Sequence, residues 1–142
     1  MWTLPTTRNI VQAAWVVPDL DAAIHAWHAA MGVGPFLVNR RLTIGEPLYR
    51  GRPSTTQFST ALAQAGDTQI ELVEQHDDTP SCYRDLVPAG RTAFHHAAII
   101  AGDYPLDLAR YADAGFEIAS SGVFGDLRFC YVGTSATLGH MV

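Results

Sequence analysis

The chain has 142 residues, of which 48% are hydrophobic and 16% charged; that is enough apolar side chain to bury one core and too little charge for a disordered chain. All nine basic residues are arginine, set against 14 acidic ones for a formal net charge of −5, so there is no cationic stripe to neutralise phosphates, which argues against nucleic acid as a partner. No apolar run approaches the roughly 18–20 residues of a membrane span, the N-terminus lacks a signal-peptide pattern, and Cys82 and Cys130 stand alone, so the expectation is a cytoplasmic protein with reduced thiols and no membrane association.

Residues 10–17 form a short apolar run of strand type. Asp19 then offers a helix N-cap, and Leu20, Ile24, Trp27 and Met31 recur at the spacing of one helix face until Gly32 stops the helix. Strand-like pieces at 36–41, 57–64 and 68–73 follow, broken by turn residues. The segment 75–93 is polar, carries Pro80 and Pro88, and reads as a linker with a helical turn around 82–86. After it the pattern repeats. Gln12-Ala13-Ala14 overlays His96-Ala97-Ala98 at an offset of 84 residues, with a strand at 94–100 and Asp103 as the cap. Tyr104, Leu108, Tyr111 and Gly115 hold the helix stripe, and strand-like pieces follow at 116–120, 128–132 and 139–142. Each half reads as βαβββ. One half cannot cover both faces of its own sheet, so the expectation is a single α+β domain over 1–142 made of module 8–74, linker 75–93 and module 94–142.

Strand side chains alternate, which separates the faces on paper. Gln69, Glu71 and Val73 share one face of 68–73; Gln12, Ala14 and Val16 share one face of the first strand; His96, Ala98 and Ile100 do so in the second copy, with His95 opposite. Taken singly, each has an ordinary reading: a solvated strand face for Glu71, a hydrogen-bonded strand residue for Gln12, a structural pair for His95-His96. The shared register of three polar groups of metal-ligand type is what sets them apart, and Ala14 and Ala98 leave space beside Gln12 and His96.

The segments QAAWVVPDLDAAIHAWHAAMGVGPF, LYRG, QIELVE, FHHAAII and YVGTSATLGHMV resemble the vicinal oxygen chelate superfamily, in its glyoxalase and bleomycin-resistance-like branch, over essentially the whole chain. The resemblance implies two paired βαβββ modules in a cupped eight-stranded mixed sheet with helices outside, and one divalent metal on the concave face. It implies Gln12, Glu71 and His96 as metal ligands. A fourth ligand is expected one residue after Val142, so either the last strand is truncated, the favoured expectation, or the site has three protein ligands. The donor set is similar to that of glyoxalase I and methylmalonyl-CoA epimerase-like relatives. It does not assemble a 2-His-1-carboxylate iron site, and it suits Zn, Ni, Mn, Co or Fe(II) without choosing among them.

The activity so implied is that of a lyase or isomerase moving a proton next to a carbonyl through an enediolate-like species, with Glu71 as the candidate base and a small molecule as substrate. The alternative is a metal-free binding protein like those that sequester bleomycin. Arg40, Arg41, Arg50 and Arg52 crowd around LYRG and could grip an anionic tail, or form a solvated hairpin tip. Arg50, Tyr49 and Tyr131 are the substrate-binding candidates. His140 is expected to be peripheral, and His25, His28 and His76 carry no role. A homodimer is implied by the resemblance alone.

Overall fold

The computed structural model describes residues 8–142. Strand β1 (Ile10–Val16) leads into helix α1 (Leu20–Met31), which Asp19 caps by accepting a hydrogen bond from Ala22 N at 2.9 Å, with Gly32 closing it in the left-handed region at φ 68°. Glu74 adds a second cap, its carboxylate accepting from Leu20 N at 2.9 Å. β2 (Leu37–Asn39), β5 (Phe58–Ala65) and β6 (Thr68–Gln75) complete the first module. The linker helix α2 (Cys82–Leu86) lies where the sequence placed a helical turn. The second module follows as β7 (Ala93–Ile99), α3 (Tyr104–Asp113), β8 (Ile118–Phe124), β9 (Leu127–Val132) and the short α4 (Ser135–Leu138).

The strands form a sheet ordered β2-β5-β6-β1-β7 and a second one containing β8 and β9. β1 and β6 are parallel while the other pairs of the first sheet are antiparallel, giving the mixed α+β architecture. The two sheets meet through the final residues: Met141 hydrogen-bonds His95 O and Ala97 N at 2.9 and 3.1 Å, and Val132 N donates to Val142 O at 2.8 Å. Residues 139–142, expected as a strand, therefore contribute only this bridge, because α4 takes up the preceding turn.

A hairpin around LYRG joins the second sheet. β3 (Gly45–Tyr49) and β4 (Arg52–Pro53) turn through Arg50 and Gly51, both at positive φ, and β3 pairs with β8 so that Leu48 faces Ser121 and Tyr49 faces Ser120. The first module thus lends an edge to the second module's sheet. β8 also runs later than the expected 116–120, because it continues through Phe124 into a turn at Gly125 and pairs back onto β9.

Period-two alternation splits β1 and β6 as anticipated. Ile70 and Leu72 face α1 and join Leu20, Val17, Ala61 and Ala63 in one core cluster, with Trp15 and Trp27 edge-on at 4.8 Å. Burying Leu20 completely is worth about 1.5–3 kcal/mol. Met31, the last residue of the stripe, overhangs the sheet and is exposed. On the other face Val16 and Val73 pack with Cys82, Tyr83, Val87, Ala119 and Met141, which locks the linker helix under both modules.

Candidate functional site

Gln12, Glu71 and His96 come from adjacent strands. β1 lies parallel to β6 with Ala14 opposite Glu71, and antiparallel to β7 with Ala14 opposite His96. The pleat sends all three side chains to the same side of the sheet. There His96 Nε2 stands 3.1 Å from Gln12 Oε1 and 3.2 Å from Glu71 Oε2. Gln12 Nε2 donates to Gln69 Oε1 at 2.6 Å, which turns the amide oxygen of Gln12 toward the imidazole.

Beside His96, at a bulge of β7 where Ala14 pairs with His96 but Trp15 pairs with Phe94, His95 turns to the same side of the sheet and is fully buried against Tyr83 and Tyr131, which corrects the expectation that it faces the opposite side. Its Nε2 donates to the Cys82 carbonyl at 2.8 Å, and its Nδ1 lies 2.9 Å from His96 Nδ1. Burial, followed by the neighbouring His96, pushes the His95 ring down to about 4, so it is neutral around neutral pH.

The donor geometry can be compared with what a cation requires. Ligand bonds of about 2.0–2.2 Å put neighbouring donors about 3.0 Å apart around an octahedral ion and about 3.4 Å apart around a tetrahedral one. The separations of 3.1 and 3.2 Å fall in that interval. One imidazole nitrogen and two oxygens suit a borderline divalent ion. Among the described residues no three His, Cys, Asp or Glu side chains gather, so a cation here would depend on the amide of Gln12. His96 bridges Met141 in parallel as Gln12 pairs with Gln69. Met141 is therefore the counterpart of Gln69.

The three donors open onto a cavity of about 730 Å³ with largely apolar walls that include Leu62, Ile99, Leu108, Phe124, Leu127 and Phe129. Asp107 also borders it, but its carboxylate is taken up by Arg8 and, at 3.6 Å, by Arg110. Glu71 is thus the carboxylate of this wall that no arginine holds. A smaller cavity of about 340 Å³ shares Leu42, Phe58, Tyr83, Phe129 and Tyr131 with the first. Tyr131 has its ring centroid 4.8 Å from that of His96, and its hydroxyl meets that of Tyr83 at 3.0 Å. Burial raises both phenols well above their ordinary value; the next cause is Tyr131 for Tyr83 and the Glu71 charge for Tyr131. Both hydroxyls therefore stay protonated and able to donate.

Two of the substrate-binding candidates lie elsewhere. Tyr49 donates to Asp85 at 2.6 Å and borders only the smaller cavity, while Arg50 bonds Asp85 at 3.0 Å and Tyr49 Oη at 3.1 Å. The carboxylate of Asp85 on α2 thus holds Tyr49 and the Arg50 guanidinium apart from Glu71 and His96. Arg40 pairs with Asp21 at 2.6 Å, and Arg41 borders the smaller cavity. His140 packs edge-on against Phe94 and hydrogen-bonds the Met141 carbonyl, away from the three donors. Gln69, His95 and Tyr83 were not singled out from the sequence. Gln69 shared the face of Glu71 and was open to detection, whereas the contact of His95 with a linker carbonyl has no signature in the chain.

The model of the Glyoxalase/Bleomycin resistance protein/Dioxygenase superfamily matches residues 11–131. No curated protein sequence matches the chain. Among solved structures, a hypothetical protein from Bacillus halodurans C-125 is 11% identical with a TM-score of 0.68, over 96% of this chain and 91% of that one. Methylmalonyl-CoA epimerase from Mycobacterium tuberculosis is 14% identical with a TM-score of 0.59, over 97% and 89%. A Streptomyces coelicolor methylmalonyl-CoA epimerase variant in complex with 2-nitronate-propionyl-CoA is 16% identical with a TM-score of 0.60, over 93% and 91%. At these identities the likeness is one of fold.

Proposed function

Because the chain belongs to the glyoxalase/bleomycin resistance protein/dioxygenase superfamily, we propose that it is a divalent-metal-dependent isomerase or lyase that moves a proton on the carbon next to a carbonyl. The observation that carries this reading is the approach of Gln12 Oε1 and Glu71 Oε2 to His96 Nε2, at 3.1 and 3.2 Å, at the wall of a cavity large enough for a small molecule. These three residues would hold the cation. When bound, the cation supplies Lewis acidity, polarising a carbonyl oxygen and offsetting the negative charge that gathers on it as the neighbouring C–H bond breaks.

The chain's own residues supply the rest. Glu71 is the base: its carboxylate faces the cavity without an arginine partner and can take the proton and return it, to either face in an epimerase or to a neighbouring atom in an isomerase. Gln12 and His96 fix where the substrate oxygen sits relative to that carboxylate. The phenols of Tyr131 and Tyr83 present neutral donors beside the imidazole, suited to orienting a polar substrate group. Apolar walls keep water from the carbanion-like centre. The methylmalonyl-CoA epimerase neighbours make acyl thioesters the first substrates to try, ahead of oxoacids and hemithioacetals.

Proton NMR of candidate substrates in deuterated water tests the reading directly. Metal-loaded protein should wash deuterium into the carbon next to the carbonyl, and Glu71→Gln should slow this roughly 100- to 10,000-fold. The apolar cavity wall favours one second reading, a metal-free binder of an apolar ligand. Tight ligand binding by chelated protein, with no exchange under any metal, would establish it instead.

A further inference from the structure

We propose that His95 is a positioning residue: anchored on the Cys82 carbonyl of the linker helix, it holds His96 in the tautomer whose Nε2 is bare toward Gln12 and Glu71. The inference rests on the metal-site reading above and deepens it.

The argument is one of hydrogen-bond direction. A backbone carbonyl can only accept, so the His95 nitrogen 2.8 Å from Cys82 O carries the hydrogen. In a neutral ring the other nitrogen, Nδ1, is then a bare acceptor. It lies 2.9 Å from His96 Nδ1, a contact that is a hydrogen bond only when His96 Nδ1 is the donor. His96 Nε2 is left with its lone pair, converging with those of Gln12 Oε1 and Glu71 Oε2 from 3.1 and 3.2 Å, a grouping that a cation between them satisfies. The opposite tautomer would donate Nε2–H to those two oxygens, but only by opposing two nitrogen lone pairs 2.9 Å apart in a fully buried place, and it would leave no lone pair for a cation.

The anchor is itself fixed. Ser81, the N-cap of α2, donates to Gln75 Oε1 at 2.6 Å and accepts from Arg84 N at 3.0 Å. Gln75 ends β6, the strand that carries Glu71. Cys82 O is therefore held in register with the same strand that supplies the carboxylate, and the rings of Tyr83 and Tyr131 pack on His95 at 5.2 and 5.7 Å. Val11 occupies the matching position in the first module, so Gln12 has no imidazole beside it and is oriented by Gln69. The linker between the modules thus reaches the site through one carbonyl and one imidazole.

The test reads the protonated ring nitrogen of His96 by heteronuclear NMR in metal-free protein, and titrates cobalt(II) into wild type, His95→Phe and His95→Asn. Wild type should carry the hydrogen on Nδ1. His95→Phe keeps the ring volume and loses both nitrogens, so His96 should become a tautomer mixture and cobalt affinity should fall roughly 10- to 100-fold. His95→Asn, whose side-chain oxygen can stand where Nδ1 does, should restore most of both. A wild-type His96 protonated on Nε2, or a folded His95→Phe with undiminished cobalt affinity, overturns the proposal. Should wild type take up no cobalt while His96 still carries its hydrogen on Nδ1, the metal reading fails and the positioning role stands. If His95→Phe does not fold, the wild-type tautomer and the His95→Asn titration decide.

Discussion

In the first half of the chain, α1 seals the sheet: Leu20 is fully buried and Ile24 and Trp27 pack over Ile70, Leu72 and Ala61. In the second half, α3 has the same stripe spacing, yet Tyr104, Leu108 and Tyr111 border the large cavity and Asp107 is the helix's buried residue. Caps, spacing and stop glycine are shared by the two helices, so local code repeated along a chain specifies the same element twice without specifying its use. One copy builds scaffold and the other lines a cavity. The first strands diverge in the same sense. Gln12 is followed by a wholly apolar packing face, whereas His96 is flanked by a second imidazole where the first copy has Val11.

The sharpest way to break this comparison is to make the second copy resemble the first. His96→Gln should abolish the asymmetry at the cation site and lower deuterium exchange at least about 100-fold, with little change in melting temperature, because the side chain contributes donors more than packing. Exchange rates and thermal melts on the same preparation check both halves of that statement. Leu20→Ala, on the scaffold side, should cost about 2–5 kcal/mol by urea unfolding, against under about 1.5 kcal/mol for Leu108→Ala, whose side chain already faces open space. Leu108→Ala should instead change ligand affinity.

Acid sensitivity distinguishes the copies next. His95 titrates at about 4 in the fold, below its ordinary 6.5, so the unfolded chain binds more protons between those values. The stability conferred by the neutral ring is present above that window and is lost as pH falls through it, by up to about 3 kcal/mol. Urea midpoints of metal-free protein across that range should follow this slope, and His95→Val, which copies Val11, should flatten it. The smallest expected effect is common to both copies. Asp19 and Asp103 each accept a backbone N–H, from Ala22 at 2.9 Å and Leu106 at 3.0 Å, so either change to Ala should cost about 1 kcal/mol.

The duplication, the helix caps and the assignment of Gln12, Glu71 and His96 to one face were legible because each depends on spacing within a short window. What the sequence concealed depends on distant partners. The β3–β4 hairpin contains Pro47 and a left-handed Glu46, and it becomes a sheet edge only by pairing with β8. The four arginines around it fit either a grip for an anion or a solvated hairpin tip, and the pairing of Arg50 with Asp85 appears only once the fold places α2 beside them. Residues 139–142 look like a strand by composition, but Gly139, left-handed at φ 80°, ends α4 and leaves only Met141 and Val142 to bridge the sheets. Strict alternation puts His95 opposite His96, but a bulge in β7 turns both to one side, where Cys82 O meets His95.

The most direct measurement is isothermal titration of cobalt(II) or zinc into chelator-treated wild type, Gln12→Ala, Glu71→Ala and His96→Ala. If one cation sits among these three side chains, wild type should bind a single equivalent, and all three variants should fold and lose it. Binding that persists in every variant, or a wild type that takes up none, would contradict the account.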